Sequence, residues 1–357
     1  MTHEANNLWL WGLTDIILRD ASFNGEGRLG RVIEEQRGEY KVVTGEGFTR
    51  AVITGKNRYQ IQRKSDFPAV GDWVMVSEHM ETALIRHRLD RWSSFERKSA
   101  GRRHEAQVVA ANIDEVYICM ALDKDFNLRR LERYLTVSWE SGAVPVVLLT
   151  KLDLCDNPQA AFREAEAVAP GVRIMGVSLK TMTGLQELKD ALTPGRTLAF
   201  IGSSGVGKSS LINYLRGFEA LRTQEVRGDG KGRHTTTHRQ LFRLTGGALV
   251  IDTPGMRELG LDGAEFHQTF GDIEALVREC RFSDCTHTNE PGCAVRAAIE
   301  AQELDEKRLR SYLKLQAEST YALMNSRQIE DEKIKKMFTS KAAMKQKIKA
   351  AKEKNRR

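Results

Sequence analysis

Residues 144–154 read VPVVLLTKLDL, and residues 197–215 read TLAFIGSSGVGKSSLINYL. Each starts as an apolar run of the length of one buried strand. The first ends in Thr150-Lys151-Leu152-Asp153, which leaves a carboxylate just past the strand. The second runs into Gly202, Ser203, Ser204, Gly205, Val206, Gly207, Lys208 and Ser209, an unbroken G-x-x-x-x-G-K-[ST] match, with Ser210 following. A polyphosphate needs several backbone N–H donors converging on it. Gly202, Gly205 and Gly207 clear that approach and permit positive φ. Lys208 supplies a point charge for the β- and γ-phosphates, and Ser209 a hydroxyl for Mg2+. A helix starting near Ser209 points its positive end at the same place. The pattern does not separate ATP from GTP.

Working outward, apolar strand-like runs alternate with amphipathic stretches from about residue 112. IDEVYICMAL, VPVVLLT, VRIMGVSL, TLAFIG and ALVIDTPG read as strands. NLRRLERYLTVSWES, PQAAFREAEAVA, GLQELKDAL and SSLINYLRG read as helices. Such alternation predicts a mostly parallel sheet covered on both faces, over residues 99–259. Asp252-Thr253-Pro254-Gly255 closes the last strand. Asp252 is placed to hold Mg2+ through water, and the Gly255 N–H to reach a γ-phosphate. Between the two phosphate motifs lies EVRGDGKGRHTTTH (225–238), a long polar segment with three threonines; a loop ordered by Mg2+ and γ-phosphate would be a switch.

Residues 29–98 have a different rhythm. GRVIEEQ, EYKVVT, TRAVITG, YQIQ, DWVMV and ETALIRHRL are short β-type runs broken by Gly and Pro. They predict a small barrel, OB-like by preference, with an SH3-like barrel as the alternative. Residues 1–28 are an N-terminal extension with few signals. After about residue 260 the pattern becomes helical and polar, giving a module over 260–330 interrupted by Cys280, Cys285, His287 and Cys293. Three thiolates and an imidazole suit one structural Zn2+ with no open position. Cys119 and Cys155 stand singly and read as buried free thiols.

The 357 residues include 41% hydrophobic and 29% charged side chains, with a net charge of +7. Residues 333–357 hold eleven Lys or Arg and one Glu, so the rest of the chain is net −3. A basic tail over 331–357 favours a polyanionic partner, nucleic acid ahead of membrane. No run is long enough for a membrane span, and the first residues lack a secretion-signal pattern. A cytoplasmic monomer is the expectation.

GSSGVGKSS, GRHTTT, DTPG, the TKLD run and CRFSDCTHTNEPGCAV together resemble the bacterial ribosome small-subunit-dependent GTPase A family, over roughly residues 29–320. The parts are those of a Ras-like GTPase in rotated order, with base reading first. The resemblance implies that Asp153 accepts two hydrogen bonds from guanine and that Lys151 packs along the base and braces the phosphate loop. It implies base contacts from Ser178 and the Leu179 backbone. Thr150 replaces the commoner Asn, which predicts somewhat weaker bracing or base binding. The resemblance makes Thr236 the expected switch threonine, completing the Mg2+ shell with Ser209, with Thr235 and Thr237 as alternatives. Met256 stands where a water-orienting Gln is usual, which predicts slow unaided hydrolysis, with His234 as the group to position water. GTP/GDP, Mg2+ and one Zn2+ are the implied cofactors. The small ribosomal subunit and its rRNA are the implied partners, with other assembly factors left open. The implied role is late subunit maturation, with hydrolysis stimulated by the subunit. Two other readings stand beside it: an ATP-dependent P-loop enzyme, and an RNA-binding protein whose nucleotide site is structural.

Overall fold

The computed structural model describes residues 8–23, 27–36, 38–61, 63–77, 82–98, 106–217, 239–252 and 265–323. His234, Thr236, Gly255, Met256 and the basic tail lie outside them. The chain divides into two compact units, 1–260 and 261–357.

The first unit opens with α1 (Asp15–Phe23), followed by β1 (Arg28–Gln36), β2 (Glu39–Thr44) and β3 (Gly47–Ile53). A short α2 (Gly55–Gln60) leads to β4 (Trp73–Ser77) and β5 (Ala83–Arg88). β1 pairs with both β2 and β4, and β3 pairs with β2 and, in parallel, with β5. The β4–β5 pairing closes the ring into the expected OB-like barrel. Alternation places Val32, Tyr40, Val42, Ala51, Val74, Val76 and Ile85 inside. The YQIQ run is not one of its strands: Tyr59 and Gln60 end α2. Ser94–Lys98 (β6), inside the expected 29–98 span, leaves the barrel and pairs with β7 (Ala106–Ala111).

The second half of this unit is the parallel sheet. Its strands are β8 (Glu115–Ala121), β9 (Val144–Thr150), β10 (Arg173–Val177), β11 (Thr197–Ile201), β12 (Arg239–Arg243) and β13 (Leu249–Asp252). They lie in the order β10-β9-β8-β11-β13-β12, all parallel except the edge strand β12. The helices are α3 (Leu128–Glu140), α4 (Pro158–Val168), α5 (Leu185–Ala191) and α6 (Lys208–Leu215). Asn127 and Asn157 cap α3 and α4, each accepting a backbone N–H three residues on. Because β9, β10 and β11 run in parallel, their carboxyl ends share one edge. The loops after them therefore converge there whatever their order in sequence.

Barrel and sheet are joined directly. β1 pairs antiparallel with β12, Glu34 opposite Gln240 and Glu35 opposite Arg239, so one sheet of eleven strands runs through both. Beside that seam the fully buried Arg31 donates to the carbonyls of Trp11, Gly71 and Asn112 and to Thr197 Oγ1. Burial lowers its pKa to about 10, against the opposing fields of Asp114 and Asp72. One side chain thus ties the N-terminal extension, the barrel and the strand that feeds the phosphate loop.

The second unit contains α7 (His267–Arg278), α8 (Ala294–Glu300) and α9 (Glu306–Leu323). Phe266, Phe270 and Tyr312 pack ring against ring, with centroids 5.5–6.3 Å apart. Arg308 on α9 forks onto the Asp272 carboxylate at 2.8 and 2.9 Å and donates to the Thr269 carbonyl, which pins α9 to α7.

Candidate nucleotide site and metal centre

The phosphate loop leaves β11 at Gly202. A Cβ on Gly202 would meet the Cys119 carbonyl of β8 at 2.4 Å, and its φ of +142° disfavours any side chain, so only glycine fits. Gly205 and Gly207 also have positive φ, and Gly207 is the residue before α6. The Lys208 ammonium folds over the loop and donates to the carbonyls of Gly202 (2.8 Å) and Ser203 (2.6 Å). Val206 is buried and anchors the loop in the apolar core. Ser204, Ser209 and Ser210 complete the turn and the first residues of the helix. Asp252 ends β13 beside this loop. Burial raises its pKa, and the positive fields of Arg216 and Lys208 oppose the rise. A half-buried carboxylate and the Ser209 hydroxyl are oxygen donors of the kind Mg2+ takes.

The TKLD run does reach this loop. The Thr150 hydroxyl donates to the Val206 carbonyl at 2.7 Å, across 56 residues of sequence. The bracing expected to weaken with a threonine is thus made by its hydroxyl in one buried hydrogen bond. Lys151 takes a left-handed backbone, φ 58°, and its ammonium pairs with the Asp123 carboxylate at 2.8 Å. That hydrogen bond is the main cause holding the Asp123 carboxyl below its usual range. Thr150 thus reaches the phosphate loop, while the Lys151 ammonium is directed to Asp123. Asp153 accepts from the buried Ser178 hydroxyl at 2.5 Å, and Ser178 Oγ accepts from the Thr181 N–H. The exposed Lys180 stands 3.9 Å from the other Asp153 oxygen. So Ser178 orients the Asp153 carboxylate, and Leu179 follows on the same loop. Sequence reasoning missed Asp123 and Arg130, whose roles depend on contacts 28 and 73 residues away.

In the second unit, one ligand atom from each of Cys280, Cys285, His287 and Cys293 lies within 4.8 Å of the others. Cys280 Sγ and Cys293 Sγ are 3.9 Å apart, and His287 Nδ1 lies 3.7 and 3.5 Å from them. Three sulfurs and an imidazole in this cluster fit one tetrahedral Zn2+. Cys293 also caps α8 through the Arg296 N–H. The loop is organised by Glu290, whose carboxylate accepts the N–H groups of Thr286, Thr288 and Asn289 and the Thr286 hydroxyl. These donors, the Thr286 hydroxyl foremost, lower its pKa to about 2. Of the two single cysteines, Cys119 is buried and burial pushes its thiol up to about 12, whereas Cys155 is only half-buried.

A phosphate loop on a central parallel strand, with the base-side loops ahead of it in sequence but beside it in space, defines a circularly permuted P-loop GTPase domain. The RsgA GTPase family model matches residues 88–262, and a 50S ribosome-binding GTPase model matches 197–350, starting at β11. A small ribosomal subunit biogenesis GTPase, RsgA 2 of Lactiplantibacillus plantarum, is 48% identical over 340 residues, 95% of this chain and 97% of its own. The RsgA of Streptomyces avermitilis is 44% identical over 306 residues, covering 84% and 82%. Among solved structures, YjeQ from Thermotoga maritima matches with a TM-score of 0.61 at 28% identity, covering 82% of this chain and 98% of that one. YloQ, described as a circularly permuted GTPase, matches at 0.57 and 25% identity, covering 83% and 96%. The chain belongs to the RsgA family of small ribosomal subunit biogenesis GTPases.

Proposed function

We propose that this protein binds the maturing small ribosomal subunit in its GTP form, hydrolyses GTP there and then leaves. The observation that carries the reading is the Thr150–Val206 hydrogen bond, which ties the base-side loop to the phosphate loop. The Asp153 carboxylate, oriented by Ser178, lies three residues beyond that tie, which supports reading the two loops as holding the two ends of one guanine nucleotide. In this reading Gly202 to Ser210 cradle the phosphates, Lys208 neutralises them, and Asp153, Ser178 and Leu179 read the base. Mg2+, held by Ser209, Thr236 and through water by Asp252, would neutralise charge developing on the phosphate oxygens. Gly255 would contact the γ-phosphate and His234 would position the attacking water. Zn2+ orders the second unit and takes no part in the chemistry.

The barrel, the metal unit and the basic tail are the proposed rRNA-contacting parts. Among the described residues no helix is long and apolar enough to cross a membrane. We place the protein in the cytoplasm as a monomer. GTP turnover measured alone, with small subunits and with large subunits tests the reading. Turnover should rise strongly with small subunits only; flat turnover, or ATP replacing GTP at equal rate, would overturn it.

A further inference from the structure

The turn between β8 and α3 runs Asp123-Lys124-Asp125-Phe126-Asn127, and no motif covers it. It holds two cations with two carboxylates. Asp123 Oδ1 accepts the Asp125 N–H at 2.8 Å while its Oδ2 takes the Lys151 ammonium of the base-side loop. Asp125 Oδ2 takes Arg130 Nη1 at 2.5 Å, with the Asp125 carbonyl at 3.5 Å. The same Nη1 donates to Ser203 Oγ at 2.6 Å, inside the phosphate loop. Ser203 in turn offers its backbone carbonyl to Lys208 at 2.6 Å. A continuous chain therefore runs Asp125–Arg130–Ser203–Lys208, and its neighbour Asp123–Lys151 reaches the base side.

We propose that Arg130 is a positioning residue for the phosphate end of the nucleotide: it holds Ser203, and so fixes the loop carbonyls that hold Lys208. The inference rests on reading 202–210 as a polyphosphate cradle. An ion pair as exposed as Arg130–Asp125, with side chains 32% and 44% accessible, adds little stability by itself. The charge-assisted bond into the loop is what distinguishes it from an ordinary helix-surface pair. A single guanidinium nitrogen, Nη1, with two N–H groups, serves both the Asp125 carboxylate and the Ser203 hydroxyl.

The test uses the full chain loaded with a fluorescent GDP analogue chased by unlabelled GDP. R130A and S203A should each speed release about tenfold, the scale of one hydrogen bond to a charged group. The double variant should be no more than about twofold faster than either, because both remove the same contact. The preference for GDP over IDP should stay unchanged, whereas general loosening of the site would erode it. Thermal unfolding checks the fold, and should R130A not fold, S203A alone decides, since it removes only the acceptor hydroxyl. Wild-type release from S203A, or effects that multiply in the double variant, would overturn the role. Failure of the unmodified chain to bind GDP would overturn the nucleotide reading together with it.

Discussion

Residues 115–217 with 239–252, and residues 265–323, are held together by different means. The first region buries twenty side chains in one apolar cluster between the parallel sheet and its helices, from Tyr117 to Val250. Its binding loops stand at the edge of that core and can be polar because they are not asked to hold the fold together. The second region has no strand among its described residues. It relies on three rings packed edge-on or tilted, the Arg308–Asp272 fork and the Cys3His cluster. In the first region the ligand is a visitor to a finished structure. In the second the ion is part of the structure.

The sharpest way to break this contrast is to remove the metal. Chelation at neutral pH should abolish hydrogen-exchange protection across 280–300, since structural zinc contributes about 10 kcal/mol to folding in small modules. Protection of β8, β9 and β11 should be unchanged. Equal loss in both regions would refute the contrast. A smaller effect is expected at the barrel–sheet seam. R31M would leave the Asn112 carbonyl and the Thr197 hydroxyl buried without that donor and take one donor from the Trp11 and Gly71 carbonyls, the latter keeping Asn112 Nδ2, at a cost of about 3 kcal/mol in urea unfolding of the first unit. A loss under about 1 kcal/mol would show that the seam is held by strand pairing alone.

Smaller again is T150V, which keeps the shape and deletes the hydrogen bond to Val206. It should cost about 1 kcal/mol of nucleotide affinity, or about fivefold in Kd, with the fold intact. Affinity equal to wild type would mean that the two loops are positioned independently. The smallest effect should come from E35Q at the Glu35–Arg239 pair, where the side chains stand 3.3 Å apart at the seam. Less than about 1 kcal/mol is expected from double-mutant cycles with Arg239, the usual scale of such pairs.

Much of this molecule could be read from sequence, because its signals are local. The phosphate loop, the parallel strands and the Cys/His spacing each lie within a short window and follow from backbone period or donor chemistry. The barrel was legible from short alternating runs, although Tyr59 and Gln60 of the YQIQ run end α2. β12 was not anticipated: RQLFR is five residues with two buried, Leu241 and Phe242, and it becomes a strand by pairing with β13 and with the barrel. Arg31 and Arg130 gave no signal, since an arginine in a strand or in the first turn of a helix ordinarily faces solvent. Their roles come from partners 20 to 166 residues away. Sequence spacing carries no record of such contacts.

The central claim is that Asp153 and the loop around Lys208 grip opposite ends of one guanine nucleotide. D153N tests it most directly. Guanine presents two N–H donors to the carboxylate; an amide presents a donor of its own and suits xanthine, which offers a carbonyl in place of the amino group. The account predicts that D153N loses GTP affinity by at least about a hundredfold and gains XTP binding that still requires Lys208. A D153N protein that keeps its preference for GTP, or binds XTP no better than the unmodified chain does, would contradict it.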